Sequence, residues 1–166
     1  MEKRLSETPS LREKEFVNAL TQNHITFSVY KHEKVITLQD VQSQLPFNTT
    51  RLVKTLVFKA DGTWVLVALR GVDALDYKKL STALGVKRDA LVKPSEEEIR
   101  QELGFEVGGI CPIHLDGKVK SIFDPHVLEV EKMYCGIGVN NKTLEVGTKQ
   151  LITAFKPQIA SVSKAV

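Results

Sequence analysis

Little in this chain points to a covalent or metal-built scaffold. Its 166 residues include only two cysteines, Cys111 and Cys135, too few and too far apart for a disulfide framework or a cysteine cage. A reducing, cytoplasmic setting fits that usage. No apolar run approaches the ~20 residues of a membrane span. The opening MEKRLSETPS lacks the apolar core of a signal peptide. Aromatic residues are sparse at 7%, with a single tryptophan, and they do not interleave with basic residues as a base-stacking platform requires. Neither sign of charge dominates. The 23 basic and 20 acidic residues leave a net +3, which permits contact with a polyanion without demanding it. These absences argue against a membrane or DNA partner.

The composition is that of one globular domain, 42% hydrophobic and 26% charged, long enough to bury a core. Residues 1–9 read as a loose segment, 10–157 as the single domain and 158–166 as a tail. Ser10 to Glu13 has capping-box spacing and opens a helix carrying Phe16, Val17 and Leu20, ending near Asn23. Ile25 to Tyr30 alternates as a strand, and Thr37 caps a short helix stopped by Pro46. Leu52–Lys59 and Trp64–Arg70 form a hairpin about Asp61-Gly62, apolar on both faces and therefore central in its sheet. Asp76 and Ser95 cap two further helices, closed by Gly85 and Gly104. A glycine-broken strand over 105–112 then pairs with Val119–Phe123 across Asp116-Gly117. Pro125 starts a helix. Met133–Val139 and Thr143–Val146 make a last hairpin turned at Asn140-Asn141, and Thr148 caps a helix that Pro157 stops. Interspersed helices and strands, rich in hairpins, predict an α+β fold with a mixed sheet.

The candidate chemistry starts at Lys54, in Arg51-Leu52-Val53-Lys54-Thr55-Leu56-Val57-Phe58. An ammonium among inward-facing residues is costly unless an anion or hydrogen bonds meet it, although a strand lysine ordinarily points to solvent. Gly108-Gly109 is a second candidate, since adjacent glycines let backbone N–H groups approach a ligand closely. A bulge or tight bend is the plainer reading. Cys111 is a conceivable nucleophile with His32, His114 or His126 as base, but a small side chain packed beside Pro112 explains it as well. Asp124 before Pro125 reads as an N-cap. Lys78, Lys79, Lys87 and Arg88 either meet phosphates or solvate a helix face. No two His, Cys or acidic residues show metal-ligand spacing, so neither a metal nor another cofactor is expected.

Taken in order, these residues resemble the YbaK and prolyl-tRNA-synthetase-associated editing-domain family. The matching stretches are Tyr30-Lys31-His32, Leu52 to Phe58 with its lysine, Val65 to Ala68 and Asp76-Tyr77-Lys78-Lys79-Leu80. Leu103 to Pro112 with its Gly-Gly-x-x-Pro, Phe123-Asp124 and a glycine-containing strand ending in Asn140 complete the series. The resemblance runs from about residue 20 to 156. It implies a compact α+β domain with a mixed, barrel-like central sheet and surrounding helices. It also implies hydrolysis of the ester joining a wrong amino acid to a tRNA 3′ end, with tRNA(Pro) the first choice and an aminoacyl-tRNA synthetase a further partner.

On the same footing Lys54, Gly108 and Gly109 become catalytic, and His32, Ile110, Cys111, Pro112 and Asp124 become substrate-binding. An aminoacyl ester is already activated, so a positioned water and oxyanion donors suffice without a triad. Cys111 departs from the family, which more often has serine before that proline. A non-catalytic tRNA- or synthetase-binding module of this fold and a Cys111-dependent hydrolase are the alternatives.

Overall fold

A computed structural model describes residues 11–34 and 49–165. The expected loose segment 1–9, Ser10 of the capping box and the short helix after Thr37 lie outside the described residues. Helix α1, Leu11–Gln22, turns Phe16 and Leu20 fully inward. Strand β1, Phe27–Lys31, follows. Next come β2, Val53–Ala60, and β3, Thr63–Arg70, paired in register from Val53↔Arg70 to Ala60↔Thr63. Asp61 and Gly62 both have positive φ, +49° and +81°, the two-residue turn whose twist matches a hairpin. Helix α2, Tyr77–Leu84, is capped by Asp76, which accepts from Lys79 N, and is closed by Gly85. Strand β4, Leu91–Val92, covers the far end of β2. Ser95 forms the expected capping box over α3, Glu96–Glu98, which continues as one π-helical turn, Ile99–Leu103.

The second half departs from hairpin expectations. Residues 105–112 form no strand. Strand β5, Lys120–Phe123, therefore has no partner there and pairs parallel with β3 instead. A 3-10 turn, Pro125–Glu129, is capped by Asp124 with Pro125 at its start. Strands β6, Lys132–Cys135, and β7, Lys142–Gly147, pair only as far as Cys135↔Leu144, so 136–141 is a loop rather than a tight turn at Asn140-Asn141. Helix α4, Thr148–Phe155, has Gly147 at its cap position. Thr148 is its first residue, and its buried hydroxyl has no hydrogen-bond partner among the described residues.

The strands form two sheets, in the orders β1-β7-β6 and β4-β2-β3-β5-β8, where β8 is Gln158–Ile159. A parallel bridge, Leu52↔Tyr134, joins them. The result is α+β with a mixed, barrel-like surface whose central strand, β3, has Val65 to Leu69 fully buried. One face of the hairpin packs Val53, Leu66 and Ala68 with α1, β6 and β7. The other packs Phe58, Val65, Val67 and Leu69 beneath α2.

The stretch after 157 is not a tail. β8 extends the sheet parallel to β5, Val162 is fully buried, and Asp76 N donates to its carbonyl at 2.8 Å. Asp124 causes this. One carboxylate oxygen accepts from His126 N and the other from both Val162 N and Ser163 N, each at 2.9 Å. Burial alone would raise the Asp124 pKa, but these donors outweigh it and hold the carboxyl below its ordinary 3.8. A depressed carboxylate stabilises the fold fully above that ordinary value, and the stabilisation is lost as pH falls through the folded value. We expect Asp124→Ala to cost about 2–4 kcal/mol at neutral pH, because it strands buried donors. Urea unfolding at pH 7 and pH 3 should show a smaller acid loss in this variant than in the wild type.

Candidate functional site

Lys54 lies on β2, on the side that also carries Leu56 and Phe58. Its ammonium is half-buried and makes one long hydrogen bond, 3.4 Å to Gly71 O. It has no ion-pair partner among the described residues. Partial burial lowers its pKa from 10.5, and the nearby charge of Asp73 opposes that only in part. Lys54 is thus a partly desolvated cation short of an anion. Its one hydrogen bond and the nearest opposite charge, Asp73, both lie toward the turn at 71–73, and no hydrogen bond joins it to the Gly108-Gly109 segment among the described residues.

Gly136 opens a loop that crosses the Gly108-Gly109 segment backbone to backbone. A Cβ on Gly109 would run into the Val139 carbonyl and stand 2.8 Å from Asn140 N. One on Gly136 would run into Ile110 O and stand 2.6 Å from Gly109 C. Gly138 N donates to Gly109 O at 2.6 Å. On the other side, Gly109 N donates to Glu106 O at 3.0 Å, closing a turn with Gly108 at φ +93°, the left-handed position such a turn reserves for glycine. This corrects the expected role of Gly109. Its N–H is spent on the turn, and its missing side chain serves the crossing. The N–H groups of Gly108 and Ile110 have no backbone or side-chain acceptor among the described residues.

His32 meets the far end of the same loop. Its backbone N donates to Asn141 O at 3.0 Å, and its ring lies 2.6 Å from Glu33 O through Nδ1 and 2.8 Å from Thr143 Oγ1 through Nε2. A carbonyl only accepts, so Nδ1 carries the proton and, in the neutral ring, Nε2 accepts from Thr143. Asn140 ties the loop to the turn, its N donating to Glu106 Oε1 at 3.0 Å and Nδ2 to Val107 O at 3.4 Å.

The other expected contacts are directed elsewhere. Cys111 is 1% exposed, and burial pushes its thiol up to about 12, which removes the thiolate a nucleophile needs. Pro112 and Ile113 are buried beside it. Asp124 holds the C-terminal segment and belongs to a cluster that includes Asp73, the acid whose charge acts on Lys54. There Arg70 pairs with Asp73 at 2.8 Å, and His126 Nδ1 stands 3.4 Å from both Asp73 and Asp124. In a cleft of about 450 Å³ lined by Arg51, Arg70 and Lys132, Arg51 pairs with Glu145 at 2.8 Å and Arg70 with Asp73, while Lys132 has no ion-pair partner among the described residues.

Residues 32–154 match the family model of the aminoacyl-tRNA editing domain. The chain belongs to the aminoacyl-tRNA editing domain family. Similar curated proteins include the proline–tRNA ligase of Halalkalibacterium halodurans, 34% identical over 64% of this chain and 18% of the ligase. The uncharacterised protein YwhH of Bacillus subtilis is 26% identical over 69% of this chain and 72% of its own. The chain thus spans about a fifth of that ligase. Among solved structures, a proposed trans-editing enzyme for prolyl tRNA synthetase superposes with TM-score 0.77 at 21% identity. It covers 95% of this chain and 100% of its own. The hypothetical protein APE2540 gives 0.79 at 22% identity, over 92% and 99%. Both share the fold.

Within this editing domain the sequence reading missed Gly136, Gly138 and Thr143. The Gly-x-Gly spacing inside an expected strand was the available signal, because alternating glycines weaken a strand and mark close backbone approach. Gly109→Ala and Gly136→Ala should each cost about 3 kcal/mol or more, since rigid backbone blocks the added methyl. Gly108→Ala should cost at least about 1–2 kcal/mol for its left-handed φ. Thermal unfolding of the three variants checks these costs.

Proposed function

We propose that the protein is a trans-editing aminoacyl-tRNA deacylase that hydrolyses the ester of mischarged tRNA, tRNA(Pro) in particular, in the cytoplasm alongside a synthetase. The observation that carries this reading is Lys54. It is a partly desolvated ammonium with no ion-pair partner among the described residues, held on the central hairpin of the editing domain.

An aminoacyl ester needs little from the protein beyond positioning and charge stabilisation. In this reading the aminoacyl carbonyl sits against the free N–H groups of Gly108 and Ile110, which receive the developing oxyanion. Lys54 holds the terminal phosphate or the same growing charge. The His32 ring, fixed by Glu33 and Thr143, contacts the terminal adenosine. The ribose hydroxyl beside the ester orients the attacking water. Water adds to the carbonyl carbon, and the collapsing tetrahedral intermediate releases the ribose oxygen, which takes up a proton. No covalent enzyme intermediate is required. Cys111, sealed in the core as a neutral thiol, is not favoured as a nucleophile.

Deacylation of mischarged tRNA(Pro) is the direct test. The wild type should release the wrong amino acid. Lys54→Ala should lower kcat/KM by ~10²-fold, and Cys111→Ala should stay within a few-fold of the wild type. Loss with the cysteine change alone would establish thiol chemistry instead, and an inactive wild type would leave only a binding module.

The pH profile adds a second check. The active form is the ammonium, whose pKa lies below 10.5. After correction for uncatalysed hydrolysis, kcat/KM should therefore hold level at lower pH and fall as pH rises through that depressed value. Lys54→Arg should abolish the alkaline fall, because a guanidinium stays charged.

A further inference from the structure

Basic side chains gather around Tyr77, among them the Lys78, Lys87 and Arg88 for which phosphate contact and a solvated helix face are the two readings. Residues 77–93 hold five basic side chains and one acidic, a net +4 against +3 for the whole chain. The rest of the protein is therefore slightly acidic. The Arg88 guanidinium lies 4.3 Å from the centre of the Tyr77 ring and the Lys93 ammonium 5.9 Å from it. Lys78, Lys87, Arg88 and Lys93 are exposed, and none has an ion-pair partner among the described residues.

Three of the neighbouring acids are engaged elsewhere, while Asp89 and Glu96 form no ion pair among the described residues. Asp76 accepts from Lys79 N, Glu97 pairs with Arg100, and Glu98 pairs with Lys59. Most arginines of the domain carry a carboxylate, including Arg12, Arg51, Arg70 and Arg100. Arg88 instead has an aromatic face beneath it, which leaves its N–H edge free to grip a phosphate. Two cations converging on one ring without a carboxylate repel each other, and a polyanion relieves that repulsion.

The patch also faces the right way. Tyr77 packs edge-on against Phe58 at 5.7 Å, and Phe58 shares its side of β2 with Lys54. Four residues of strand separate the two, about 13 Å.

We propose that Tyr77, Lys78, Lys87, Arg88 and Lys93 form the surface that tracks the phosphate backbone of the tRNA acceptor arm while its 3′ end occupies the Lys54 site. This rests on the deacylase reading and names the surface by which that substrate is held. The contacts are to phosphates, so the patch contributes affinity and salt dependence rather than sequence discrimination.

Anisotropy of labelled, uncharged tRNA(Pro) over a salt series tests it. In Lys78→Gln/Lys87→Gln/Arg88→Gln/Lys93→Gln, Kd at 0.1 M salt should rise ~10-fold or more. The slope of log K against log salt should become shallower by about 3, at 0.7–0.9 per lost phosphate contact. Lys78→Arg/Lys87→Arg/Lys93→Arg should keep both. Should the quadruple variant fail to fold, Lys87→Gln/Lys93→Gln should still flatten the slope by about 1.5.

An unchanged slope in the glutamine variants overturns the proposal. So does a wild type that binds anionic phosphatidylserine vesicles but not tRNA. Because the probe is uncharged, the two readings fail separately. Binding without deacylation sinks the deacylase and keeps the patch, whereas deacylation with an unaltered slope sinks the patch alone.

Discussion

The arrangement hangs on two backbones crossing with no side chain between them. Where Gly109 meets Val139 and Asn140, and Gly136 meets Ile110, even a methyl group has no room. That closeness lets Gly138 N reach Gly109 O and Asn140 N reach Glu106 Oε1, so the turn over 106–109 is hydrogen-bonded from both sides. Protein interiors transmit such constraints because they are densely packed. The crossing therefore fixes the N–H groups of Gly108 and Ile110, unpaired among the described residues, relative to the loop that follows β6. The glycines act less as flexible elements than as the condition for a rigid one.

Lys54 shows the complementary economy. A fully buried ammonium would lose its proton or need a carboxylate partner. A fully exposed one would be screened by water and contribute little. Half-buried, with Gly71 O its one hydrogen-bond acceptor among the described residues, it keeps its charge while gaining in effective field strength. Asp73 helps to keep it charged but is itself committed to Arg70 at 2.8 Å. The cation is thus supported without being neutralised, the state in which a ligand anion gains most.

Local rules made much of this legible. The Asp61-Gly62 turn, the Asp76 and Ser95 caps and the Pro125 start follow from side chains acting within four residues of themselves, and all appear in the structure. What depends on distant partners was not legible. Nothing near Val119–Phe123 says that it pairs parallel with β3. Nor does anything near Asp124 say that its second oxygen holds residues 162 and 163, some 38 positions away. Cys111 could be weighed as nucleophile or core, but only its burial decides. That Gly109 N is spent on the turn was hidden for a similar reason, since a glycine pair announces close approach without saying which N–H the turn consumes. The Lys54 site itself needed the family resemblance, because a lysine in an apolar strand does not declare its neighbours.

The two faces of β1 and β7 show how fold and site are kept apart. Phe27 and Val29 pair with Val146 and Leu144 in the core under α1. Lys142 continues that inward face, where its ammonium is 2.8 Å from Glu13 on α1, both side chains being 7% exposed. Such a pair gains little net stability over apolar packing, but removing one partner costs about 3–5 kcal/mol. Its effect is on register. A one-residue slip of β7 would turn every side chain to the opposite face, moving Lys142 away from Glu13 and leaving a buried charge unpaired. With Lys142 held against α1, Thr143 must lie on the other side of the sheet, where, itself 6% exposed, it meets the His32 ring. The charge pair in the core thereby sets which hydroxyl stands beside the histidine, although neither Glu13 nor Lys142 touches that ring.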